Sequence, residues 1–192
     1  MKKLRDQTGA GMMECKAALT EAAGNLDEAT VILRKRGLAH AAKKAGRSMT
    51  QGLIGSYIHL GGKIGVLVEL NCESDFVART DDFQTLLKEL TLQVASADPQ
   101  YARREDVPEA ILERERGIYR AQMAESGKPP HVIDKIVEGK LSAFYEENVL
   151  VDQVSIRDSK VKVSQMVQAA IAKLGENISV ARFVRFKVGE GQ

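Results

Sequence analysis

Of the 192 residues only two are cysteine and three histidine, none is tryptophan, and no aromatic residue occurs before Tyr57. Each shortage narrows the chemistry. Cys15 and Cys72 stand alone in their segments, with neither a CxxC pair nor neighbouring histidines. That argues against a disulfide scaffold or a metal site and for a reducing, cytoplasmic setting. His40, His59 and His131 fall in a predicted linker, a hairpin tip and a helix start, none with a carboxylate or thiol at ligand spacing. No apolar run approaches the roughly 18 residues of a membrane span. Met1-Lys2-Lys3 has the basic start of a secretory signal, but Arg5, Asp6 and Gln7 follow where an apolar stretch would be needed. No GxxxxGK[ST] phosphate loop, HExxH, GxSxG elbow or GxGxxG after a strand occurs, so an enzyme reading has no catalytic constellation and no cofactor is expected.

What is present is a chain with 44% hydrophobic and 28% charged residues, enough for one good core with a small appendage. The net charge of +2 hides an asymmetry: residues 1–51 hold ten Lys/Arg against five Asp/Glu, and the remainder is net acidic. A basic end suits nucleic acid or an acidic protein surface. Lacking aromatics, it has no stacking platform for single-stranded bases. A solvated basic helix face is the simpler reading, with a nucleic-acid-binding module as the alternative.

Residues 1–37 read as three short helices, beginning near Leu4, Met12 and Leu26. Thr8-Gly9-Ala10-Gly11 and Gly24 separate them, Asn25 with Glu28 resembles a capping box, and Gly37 is placed as the C-terminal stop. Residues 38–51 form a basic linker, exposed helix or pliable tether. Residues 52–192 form an α+β core with an antiparallel sheet packed by helices. Within it Leu53–Leu60 and Lys63–Asn71 flank Gly61-Gly62 as a hairpin that sets His59 opposite Ile64. An amphipathic helix follows over Phe83–Ala97, a densely charged, solvated helix over residues 108–126, and a helix with one buried face from Pro130. A strand is expected over Asn148–Ile156, then a helix capped by Ser164 and ended by Gly175. A final strand has Ile178, Val180, Val184, Phe186 and Val188 in alternation.

Two turns invite a functional reading. The run Glu69–Arg79 drives a strand whose Ile64, Val66, Val68 and Leu70 share one face into a helix start capped by Ser74, with Asp75, Phe76 and Val77 in the first turn. Phe is more often buried than exposed. Phe83 already begins the buried face of the next helix, however, and so short a turn has little room to hide a second ring. Phe76 therefore either tucks into its own core or points outward as a wedge. Asp75 either favours the helix N-terminus electrostatically or meets a partner. The second turn, Gly9–Met13, follows no strand and precedes no Lys-Ser/Thr, so a phosphate cradle is disfavoured. It reads as a tight helix connection exposing Met12 or Met13, either as a supple contact surface or with one of them in the core.

LRDQTGAGMMECKAAL (Leu4–Leu19) and ELNCESDFVAR (Glu69–Arg79) together resemble the two hallmark motifs of the elongation factor Ts family. KKAGR, SYIHLGGKIGVLV and GENISVARFVRFKVGEG extend the resemblance over essentially the whole chain. The resemblance implies a guanine-nucleotide exchange factor for the GTPase elongation factor Tu, not an enzyme in its own right. It implies a ubiquitin-associated-like N-terminal domain that docks on the partner through Leu4, Arg5, Gly11, Met12 and Met13. It further implies that Ser74, Asp75, Phe76 and Val77 displace the partner's Mg²⁺, with Ser74 standing where the family usually has Thr. Longer members resemble two core halves, whereas this chain has one. A homodimer in a two-to-two complex is implied, with His59 as a contact, and neither membrane nor direct nucleic-acid binding is expected.

Overall fold

The computed structural model describes residues 1–124 and 126–190, so Glu125 in the predicted charged helix and the predicted core's last residues, Gly191 and Gln192, lie outside it. Helices α1 (Lys2–Thr8), α2 (Met12–Glu21) and α3 (Leu26–Lys44) open the chain. Gly9, at φ 67°, ends α1 in the left-handed conformation that glycine adopts at least cost. The Asn25 side chain accepts from the Asp27 and Glu28 amides at 3.0 and 3.2 Å and starts α3. Leu4, Cys15, Ala18, Ala22, Ala29 and Leu33 form this unit's small core.

The stop predicted at Gly37 is absent: α3 runs on to Lys44. The glycine serves close packing instead. A Cβ at Gly37 would sit 3.4 Å from Ala172 Cβ on α8 (Val163–Leu174). Four residues later Ala41 joins the main core. The same helix therefore contributes Leu33 to one core and Ala41 to the other.

Beyond α3, β1 (Gln51–Ile58), β2 (Ile64–Cys72) and β3 (Ile178–Lys187) form an antiparallel sheet in the order β1-β2-β3. The register predicted for the hairpin holds, since the His59 amide donates to the Ile64 carbonyl at 2.9 Å, but the strands stop at Ile58 and resume at Ile64, so the connection is longer than the two glycines expected. Val66, Val68 and Leu70 on β2 are buried, as the alternation predicts, with Ile64 half-buried on the same face and Cys72 continuing it. Against this face pack α4 (Asp75–Ala78) and α5 (Asp81–Ala97), the latter through Phe83, Leu86, Leu87, Leu90 and Val94. α8 supplies Val163, Val167 and Ile171. α6 (Glu109–Met123) and α7 (Pro130–Asn148) form a helical hairpin with a separate cluster around Leu112, Val137, Leu141 and Val149. Mixed helix and antiparallel sheet make this an α+β fold.

Three local expectations are corrected. The strand expected over Asn148–Ile156 does not form: α7 extends through Asn148, a 3₁₀ turn spans Leu150–Asp152, and only isolated bridges occur at Val149 and Val154. Val149 and Leu150 are apolar because they are buried beneath helices. α8 is preceded by Lys162, whose amide donates to the Gln165 carboxamide at 3.1 Å, leaving Ser164 inside the first turn. The alternation in β3 is broken, since Glu69 pairs with Arg182 while Leu70 pairs with Val180, leaving Ala181 as a bulge. The bulge flips the side-chain parity. Ile178 and Val180 face the core, whereas Val184, Phe186 and Val188 are exposed on the outer face with Ile54, Ile58 and Leu67.

Candidate functional site

The Ser74–Arg79 turn is built where β2 leaves the sheet. Cys72 is fully buried, burial pushes its thiol pKa up, and its Sγ donates to the Ser74 carbonyl at 3.1 Å. Ser74 caps α4, its hydroxyl accepting from the Val77 amide at 3.4 Å. Val77 and Ala78 then drop into the core, and both are buried. Asp75 pairs with Arg79 one turn on, at 2.8 Å, with both side chains in solvent. Such an exposed pair contributes little to stability.

Phe76 is the exception among the turn's apolar residues: it is 79% exposed, although its neighbour Val77 is buried. Of the two orientations the sequence leaves open, the outward one is observed. An exposed ring between a capping serine and a buried valine costs little to hold in place, because the residues around it fix the backbone.

A second layer holds the turn from behind. The Glu176 carboxylate accepts from the Ser74 amide at 2.9 Å, the Glu73 amide at 3.1 Å and the Ser74 hydroxyl at 2.6 Å. Glu73 replies, accepting from the Asn177 amide at 2.7 Å. That hydrogen bond, aided by nearby Arg47, holds the Glu73 carboxyl below the usual glutamate range against a smaller opposing effect of burial. The Asn177 side chain reaches the Ala45 and Arg47 carbonyls at 3.4 and 3.1 Å, just past the end of α3. Sequence reasoning missed Glu73, Glu176 and Asn177, because their partners lie about a hundred positions away and no local pattern announces them.

The other predicted contact residues fall in two further places. Arg5, Gly11, Met12 and Met13 are exposed around the α1–α2 turn, Met12 by 57% and Met13 by 74%. Neither methionine belongs to the core. Gly11 precedes α2 with φ −60°, and its amide donates to the Glu14 carboxylate at 3.2 Å. Leu4 is fully buried beneath this turn, so its side chain supports the surface without forming part of it. His59 is exposed at the hairpin tip, its Nδ1 2.9 Å from the Tyr57 hydroxyl. β2 separates that tip from the Phe76 turn. Its eight residue steps span about 26 Å, so one chain does not bring His59 and Phe76 together.

Among the described residues no helix is long and apolar enough to cross a membrane. What the surface offers is an exposed aromatic on a braced turn, an exposed methionine pair on a small helical unit, and an apolar outer sheet face. These features suit contacts with macromolecules.

Comparison with known proteins gives a consistent result. The family model described as elongation factor TS matches residues 2–190. Elongation factor Ts of Solibacter usitatus is 58% identical over 192 residues, covering all of this chain and 91% of that protein. Elongation factor Ts of Thermosipho melanesiensis is 57% identical over 190 residues, covering 99% of this chain and 97% of the relative. That of Geobacter sulfurreducens is 55% identical over 189 residues, with 98% and 88% covered.

Proposed function

We propose, because the chain belongs to the elongation factor Ts family, that it is the guanine-nucleotide exchange factor for elongation factor Tu, acting in the cytoplasm during translation elongation. The observation that carries this reading is the exposure of Phe76 on a turn whose neighbours are buried and hydrogen-bonded. In the proposed complex the methionine turn docks on the GTPase. Phe76 then enters beside the partner's nucleotide site, with Ser74, Asp75 and Val77 setting its approach.

No bond chemistry is required of this chain. Exchange factor and GDP each bind the GTPase, and a coupling free energy between them makes each weaken the other's hold. Mg²⁺ demands near-ideal octahedral geometry, so a small backbone shift in the partner is enough to dislodge it and loosen the phosphates. Burying the phenyl ring contributes about 1.5–3 kcal/mol toward that distortion. GTP then enters and displaces the factor. Phe76→Ala is expected to slow factor-stimulated release of labelled GDP while the fold persists. Unchanged stimulation in a stopped-flow release assay would remove the wedge.

A homodimer in a two-to-two complex follows from the same reading. His59 and Phe76 lie at opposite ends of β2, so a GTPase that meets both receives them from two copies. The outer sheet face, with Ile54, Ile58, Leu67, Val184, Phe186 and Val188 exposed, offers a self-complementary surface for the second copy. Phe186→Asp is expected to give monomers in light scattering at micromolar concentration. A wild-type protein already monomeric there would refute the dimer. RNA binding through the basic N-terminal segment is the rival reading, and a mobility shift at physiological salt would favour it.

A further inference from the structure

The bracing of the Phe76 turn is reciprocal and spans three distant parts of the chain. Glu176 and Asn177 occupy the short connection between α8 and β3; Glu73 and Ser74 occupy the connection between β2 and α4. Four hydrogen bonds join the two connections, three ending on the Glu176 carboxylate and one on the Glu73 carboxylate. Asn177 carries the link to the carbonyls just past α3, the helix that also belongs to the N-terminal unit.

The placement of each acceptor matters. Glu176 is the acceptor for the Ser74 hydroxyl proton, which leaves that oxygen's lone pairs free to receive the Val77 amide. Turning the hydroxyl away would therefore loosen the cap that sets the start of α4, one residue before Phe76. Neither glutamate is itself exposed; both are half-buried behind the turn, while the ring stands in solvent. Glu73 is held in its ionised form, consistent with its role as the fixed acceptor for Asn177.

We propose that Glu176 is a positioning residue for nucleotide exchange: with Glu73 it clamps the Ser74 cap, fixing the direction of Phe76 relative to α3 and the N-terminal docking unit. The inference rests on the exchange reading above and adds to it the residue that aims the wedge. An unclamped turn keeps its ring but samples several directions, so fewer encounters displace the nucleotide. The loss falls on the maximal exchange rate and not on the concentration of factor needed for half-maximal effect.

Glu176→Gln keeps the side chain's size and an oxygen for the backbone amides, but replaces the second oxygen with a donor facing Ser74. Measured with the full-length protein and the elongation factor Tu–GDP complex, it is expected to lower the maximal release rate by about tenfold, with half-saturation unchanged. Glu176→Asp, one methylene short, is expected not to restore the rate. In a Phe76→Ala background, Glu176→Gln is expected to cause no further loss, although the inference requires no contact between the two side chains. If Glu176→Gln lowers the melting temperature by more than about 5 °C, Ser74→Ala removes the hydroxyl contact together with the Val77 cap that it steadies, and takes its place in the cycle. An unchanged maximal rate, additive losses in the double variant, or a raised half-saturation concentration at unchanged maximal rate would each overturn the clamp. If instead Phe76→Ala alone leaves exchange intact, the wedge reading fails first, separately from the clamp.

Discussion

The turn that carries Phe76 and the turn that carries Met12 and Met13 both push large apolar side chains into solvent, yet they are held very differently. Phe76 is followed by two buried residues, preceded by a serine cap, and braced by the Glu176 carboxylate from the far end of the chain. The methionine turn rests on a core whose members include Ala18, Ala22 and Ala29, each adding only a methyl group. A unit of under 40 residues with so little to bury is marginal by itself. The continuation of α3 beyond Leu33, through Gly37 and Ala41 into the larger core, supplies the rest. Under the proposed exchange function, a rigid wedge and an adaptable dock would serve different parts of one task. Flexible unbranched methionines adjust to a partner surface, whereas a ring meant to displace something must not yield.

The largest expected effect tests the weaker of the two supports. Leu4 is the largest fully buried side chain in the N-terminal core, and Leu4→Ala should destabilise that unit by about 2–5 kcal/mol. Hydrogen exchange should then show protection lost across α1 and α2 while β2 stays protected. Uniform loss in both regions would mean that the two cores unfold as one. Next comes Phe76→Ala, with release of GDP slowed by about ten- to a hundredfold if the ring's burial contributes as estimated. Because the ring is exposed in the free protein, its removal should leave the melting temperature unchanged within about 2 °C. A marked drop in melting temperature would erase the distinction between wedge and scaffold. Met12→Ala and Met13→Ala should each weaken affinity for the GTPase only about two- to fivefold and leave the maximal rate intact, as expected of an adaptable surface where no single side chain dominates. Titration calorimetry with the nucleotide-free partner checks this.

Much of this contrast was legible in the sequence, and the missing part has a physical pattern. The alternation Val66-Val68-Leu70 and the helical spacing of Phe83, Leu86, Leu87, Leu90 and Val94 located the sheet and its covering helix, because those patterns are local. Ser74 as a cap was legible for the same reason. Gly37 reads as a stop because the same residue type ends helices and allows them to approach closely, and only the facing Ala172 distinguishes the two uses. The parity flip in β3 depends on one bulged residue, Ala181, which leaves no mark on composition. Val149 and Leu150 looked like strand because a short buried apolar run has no period of its own. The Glu73–Glu176 clamp was invisible for a related reason: it joins residues about a hundred positions apart, and a lone glutamate beside a turn reads as solvent-exposed.

The smallest expected effect probes that clamp without altering a residue. The Asn177 amide, then Arg47, hold the Glu73 pKa below its ordinary value of 4.5 in the folded protein. A carboxyl depressed on folding contributes stability that is fully present above its unfolded pKa and is lost as pH falls through its folded one. Between pH 7 and about 5 the Glu73–Asn177 bond should therefore be unchanged; on further acidification Glu73 protonates and that bond weakens. The Asn177 amide proton, followed by nuclear magnetic resonance, should report this titration directly, with a midpoint below 4.5. In Glu73→Gln the titration should vanish from that amide while the register of β2 against β3 is retained. A midpoint at or above 4.5 in the wild type would show that the rear brace is loose in solution. The Phe76 turn would then resemble the methionine turn more closely than its buried neighbours suggest.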